Sequence, residues 1–113
     1  MANPLRNQIQ VKLDKNYKAR LTIDAIMQIE DAVGCGIIKL AQNMAEGDIR
    51  MTHLINVLTP ALRGGGNDLQ ENDVKKIVQK VGIVSSTNVV AEILMKTLEV
   101  QGGEEDATPE KKE

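Results

Sequence analysis

His53 and Cys35 are the chain's single imidazole and single thiol in 113 residues. The side chains that most often ligate metal or attack a carbonyl carbon are therefore one of each, and neither sits in a supporting motif. Cys35, between Gly34 and Gly36, reads as a small connector residue, and His53 as an ordinary residue near a helix start. The acids come in groups: Glu30-Asp31, Glu46 with Asp48, and Asp68, Glu71 and Asp73. They fall at expected helix ends and on polar faces, where capping and solubility account for them without general acid-base work. Arg63-Gly64-Gly65-Gly66-Asn67 has the glycines of a phosphate loop. It lacks the Gly-Lys-Ser/Thr ending and no strand precedes it, so it reads as a flexible turn. Met27, Met44, Met51 and Met95 stand at helical positions; core filling is the first expectation for them and an adaptable binding groove the second. The residues compose no catalytic, cofactor or metal set, and the chain reads as a small adaptor with no enzymatic role.

Hydrophobic spacing predicts the elements that carry these residues. Apolar and polar residues alternate in Gln8-Ile9-Gln10-Val11-Lys12-Leu13 and again in Tyr17-Lys18-Ala19-Arg20-Leu21-Thr22-Ile23, with Asp14-Lys15-Asn16 as a turn between them. That is a β-hairpin. From Ile23 the period becomes helical, through Ile26, Ile29 (or Met27) and Val33, and Gly34 supplies the stop. Ile37, Leu40, Ala41 and Met44 mark a second helix ended by Glu46-Gly47-Asp48. Leu54, Ile55, Leu58, Ala61 and Leu62 mark a third, where Pro60 should kink the helix or loosen its last turn. Leu69 and Val74 flank a Gln70 cap, opening a fourth helix with Val74, Ile77, Val78 and Val81 inward and Gly82 as its end. After Ile83-Val84, Ser85 or Ser86 is the expected cap of a last helix carrying Val89 or Val90, Ile93, Leu94 and Leu98. The fold class is α+β, mostly α: an N-terminal hairpin, about five short helices over residues 1–101, and a disordered acidic tail over 102–113.

Composition bounds what such a frame can do. A chain of 12.4 kDa has room for one domain. Tyr17 is its only aromatic residue of the Phe, Trp and Tyr class, so aliphatic and methionine side chains must fill the interior. No stretch approaches the roughly 20 apolar residues of a membrane span. No secretory signal opens the chain, and the expectation is a cytoplasmic protein. Five basic residues (Arg6, Lys12, Lys15, Lys18, Arg20) stand against Asp14 in the first twenty positions. Without stacking aromatics they make a poor phosphate track, and no nucleic-acid partner is expected. The outer edge of the hairpin is open to two occupants, another copy of the chain or the tail.

The order of short motifs resembles a known family. Asn3-Pro4-Leu5-Arg6, the hairpin, Leu21 to Glu30, Val33-Gly34-Cys35-Gly36, Ala45-Glu46-Gly47-Asp48 and Ala61-Leu62-Arg63-Gly64-Gly65-Gly66 together resemble the small tail-assembly proteins of long-tailed phages. The gene transfer agent version is the most similar, over about residues 3 to 100. The resemblance implies a tail assembly chaperone that coats the helical tape measure protein, keeps it soluble and gives way as tube subunits polymerise. Such a protein needs no cofactor, acts in the bacterial cytoplasm and is absent from the finished particle. The expected groove lies between the second and third helices and uses Met44, Met51, Leu54 and Leu58. A longer frameshifted product, read through a run of adenines at Lys111-Lys112, would recruit the tail tube protein. The alternative is a structural tail or connector protein retained in the virion. The number of subunits is left open.

Overall fold

A computed structural model describes residues 8–101 of the chain, with side chains described through residue 99. The expected tail, its Lys111-Lys112 pair and the opening Asn3-Pro4-Leu5-Arg6 motif lie outside the described residues. The architecture is the predicted one, a hairpin followed by five helices. Strands β1 (Ile9–Lys12) and β2 (Asn16–Ala19) pair antiparallel with Ile9 opposite Ala19 and Lys12 opposite Asn16. Helices α1 (Ile23–Val33), α2 (Ile37–Ala45), α3 (Met51–Gly64), α4 (Glu71–Val81) and α5 (Ile83–Gln101) follow. One apolar cluster draws on every element, from Ile9 and Val11 of β1 to Ile93 and Leu94 of α5.

Alternation places one hairpin face inward. Ile9, Val11, Tyr17 and Ala19 are buried, while Gln10, Lys12, Asn16 and Lys18 face outward. The second strand is shorter than its alternating pattern, because Thr22 ends the extended run. Its Oγ1 accepts the Ala25 N–H at 3.1 Å, which fixes the first turn of α1. Ile23 consequently joins the helix and is 56% exposed, and within the α1 stripe Ile29 alone is fully buried. Gly34 ends α1 at φ 79°, as its position predicts. Glu30 then reaches across the connector, where its Oε2 accepts the Ile37 N–H at 2.9 Å and supplies the cap that Gly36 cannot.

The turn after α3 is where prediction and structure differ most. Helix α3 continues past Pro60 to Gly64, and the glycines that follow are docked against the hairpin. A Cβ on Gly64 would overlap the Arg20 carbonyl, and one on Gly65 would overlap the backbone of Lys18 and Ala19. Only glycine lets the two backbones approach so closely. The Arg20 N–H donates to the Ala61 carbonyl at 2.8 Å. The Asn67 amide donates to the carbonyls of Lys18 (2.7 Å) and Leu62 (2.8 Å). What reads as a flexible turn is a clasp.

Helix α4 begins as expected. The Asp73 carboxylate accepts the Gln70 N–H at 2.9 Å, and Val74 is fully buried with Leu69 packed against the same core. Its end is abrupt. Gly82 adopts φ 97° and the chain turns by 120° directly into α5. The last helix therefore starts at Ile83, two residues before the earlier of the two expected serine caps. Neither serine caps it: Ser86 lies inside the helix, where its hydroxyl donates back to the Gly82 carbonyl at 2.8 Å. No single helix among the described residues is long and apolar enough to cross a membrane.

Candidate functional site

The stripe on α3 divides along its length. Leu54, Leu58, Ala61 and Leu62 are fully buried, whereas Met51, one turn before Ile55, is 45% exposed at the helix start. Helix α4 lies beside this first half, and its Val78 and Gln79 face Met51 and Ile55 across a concavity of about 520 Å³. The 120° turn at Gly82 carries Ile83, 54% exposed, onto the same wall. The apolar part of the lining is Met51 and Ile83, both exposed, with the buried Ile55 and Val78. Thr52, Asn56, Glu71, Lys75, Gln79 and Gly82 complete the lining. Lys75 Nζ stands 3.3 Å from Glu71 Oε2 one turn away on α4, and both side chains are more than half exposed. That pair is solvated and contributes little to stability. Its value is as a polar rim.

A second concavity of about 530 Å³ lies between α1 and α3, lined in part by Thr22, Asp24, Gln28, Thr59 and Arg63. It shares Asn56 and Glu71 with the first. Thr59 Oγ1 is buried without a hydrogen-bond partner. Its lining is the more polar, and it offers no continuous apolar strip.

The expected groove of Met44, Met51, Leu54 and Leu58 is not assembled. Met44 is 6% exposed in the core, and Leu54 and Leu58 are sealed beneath α3. Helix α2 packs on α1 and α5. A helical period shows which residues share a face, and it does not show whether another helix covers that face. Met51 is the one member of the four that is open, and its neighbours are Ile55, Val78 and Ile83. The signal for Ile83 was present in the sequence: Ile83-Val84 is an apolar pair belonging to neither flanking stripe, and both residues are exposed, Val84 at 75%.

The remaining candidates for chemistry are dispersed. Cys35 is half-buried in the connector between α1 and α2. His53 is half-buried on α3, with Nδ1 unpartnered. Among the described residues no three His, Cys, Asp or Glu side chains converge to hold a metal ion. Glu30, Glu71 and Asp73 are engaged as caps or in an ion pair. The ionisation of Tyr17 is displaced: burial, a 2.7 Å hydrogen bond to Asp14 Oδ1 and that carboxylate's charge push its phenol up to about 12. It lies in the hairpin, with Lys15 Nζ 5.7 Å from its ring centre. The arrangement is suited to holding an apolar surface.

Residues 8–100 match the family model described as phage tail tube protein, GTA-gp10. No curated protein and no solved structure matches the chain.

Proposed function

Since this chain belongs to the family described as phage tail tube protein, GTA-gp10, which makes it a phage or gene transfer agent tail protein, we propose that it acts as a tail assembly chaperone for the tape measure protein. The observation that carries this reading is the hollow between α3, α4 and the start of α5, where exposed Met51 and Ile83 flank the buried Ile55 and Val78. A long helix with an exposed apolar stripe aggregates unless the stripe is covered, and a shallow aliphatic surface covers it reversibly. The chain's single aromatic residue is buried in the hairpin. The hollow therefore has no Trp, Tyr or Phe anchor, and each copy binds weakly enough to be displaced when tube subunits arrive. Many copies along one partner compensate through multivalency.

A structural role in the particle is the second reading, favoured by the words tail tube in the family description. A tube wall is built from sheet that closes into a ring, and the described residues form one two-stranded sheet. Two experiments separate the readings. Co-expression with the tape measure protein of the same gene cluster should render that protein soluble and co-purified, and Met51→Glu with Ile83→Glu should abolish both effects. Mass spectrometry of finished particles should find the chain absent. A tape measure protein that stays insoluble, together with stoichiometric amounts of this chain in particles, establishes the structural role instead.

A further inference from the structure

The two edges of the hairpin differ in how their backbone groups are satisfied. The Leu13 N–H donates to the Lys15 carbonyl at 2.9 Å across the turn, one step beyond the paired residues Lys12 and Asn16. The odd-numbered residues of β1 therefore direct their N–H and C=O groups toward β2. On β2 the Lys18 carbonyl is taken by Asn67, and the Arg20 N–H just beyond the strand by Ala61, so the C-terminal part of that outer edge is covered by the end of α3 and the turn after it. With Gln10 opposite Lys18 and Lys12 opposite Asn16, the N–H and C=O groups of Gln10 and Lys12 point away from β2. No hydrogen bond from a loop or helix among the described residues closes that edge.

We infer that the outer edge of β1 pairs with β1 of a second copy, antiparallel about a two-fold axis, to give a four-stranded sheet. The register follows from which groups point outward. Gln10 meets Gln10 of the second copy on the axis and exchanges both bonds with it, and Lys12 meets Gln8 on either side. Ile9 and Val11 then lie on the same, inner face in both copies. On the outer face Lys12 stands opposite a neutral glutamine, so no like charges are opposed. The acidic tail is the poorer occupant: Gly102-Gly103-Glu104-Glu105-Asp106 and Pro109 are residue types that strands disfavour. The segment from Ile9 to Lys12 already forms a strand, and Gln8 directly precedes it.

The test is sedimentation of the full chain over a concentration series. The expected result is a monomer–dimer equilibrium accompanied by slowed amide exchange at Gln10 and Lys12 as the dimer fills. Gln8→Lys places like charges opposite each other twice across the axis and should weaken the dimer roughly tenfold, while Gln8→Glu should tighten it several-fold. Gln10→Pro removes a donor that the hairpin itself does not use and should leave a folded monomer. A chain that stays monomeric at the highest soluble concentration overturns the inference. So does a dimer indifferent to both Gln8 substitutions, whatever Gln10→Pro does to folding. Tape measure binding is read separately, so failure here leaves the chaperone reading standing.

Discussion

The two ends of α3 solve opposite problems. At the C-terminal end the helix is held by directional bonds: Ala61 accepts the Arg20 N–H, Asn67 spans Lys18 and Leu62, and Gly65 lets the strand come close. At the N-terminal end Arg50 offers no side-chain cap, and Met51 borders an open apolar hollow. Hydrogen bonds and close backbone contact fix one geometry, whereas methionine and aliphatic surface accept a range of partners. One helix thus carries the rigid joint of the fold at one end and its adaptable surface at the other. Stability and binding should be separable along its length.

The contrast breaks most severely at Gly65 and, to a comparable extent, at Leu58. Gly65→Ala sets a methyl group against strand backbone, which cannot yield as a side chain can, and should cost about 3 kcal/mol; chemical denaturation measures it. Leu58→Ala, beneath the middle of the helix, should cost about 2–5 kcal/mol by leaving a cavity, and the same denaturation series ranks it against the glycine. Asn67→Ala removes the bonds to the Lys18 and Leu62 carbonyls and should cost about 1 kcal/mol. Its specific signature is faster amide exchange in β2, with α4 unchanged.

A smaller effect belongs to pH. The folded-state pKa of Tyr17 lies at about 12, above the ordinary value near 10, so the native state holds this proton more tightly than the unfolded state does. Its contribution is fully present below about pH 10 and is lost as pH rises toward 12. Tyr17→Phe should flatten that part of a stability-against-pH curve. At the open end of α3, Met51→Ala should shift the unfolding midpoint by the equivalent of about 0.5 kcal/mol or less while weakening tape measure capture in the pull-down. A Met51 variant that unfolds the protein, or an Asn67 variant that abolishes capture with the fold intact, would merge the two ends that the structure separates.

The elements were legible where one local period dominates. The hairpin face, the stripes of α2 and α4, and the Gln70 start could all be read from spacing, because burial there follows from neighbours within a few residues. The candidate site was only partly legible. Met51 belongs to the expected groove and to the observed hollow, but Leu54 and Leu58 share its stripe and differ from it only in what covers them. Coverage is a long-range property. The serine caps failed for a similar reason: Gly82 redirects the chain before either serine is reached, and the left-handed turn it makes leaves Ser86 inside the helix. The glycine run looks loose in sequence because its constraint, the strand backbone at Lys18, stands more than forty positions away.

Tyr17, the lone member of its class, makes the protein its own spectroscopic reporter. With no Trp and no second Tyr, near-ultraviolet absorbance and intrinsic fluorescence arise from a single ring seated in the hairpin. Hairpin opening, the ring's own ionisation and any rearrangement of the sheet edge can be followed in the unlabelled chain, without the averaging over several fluorophores that blurs such signals in most proteins.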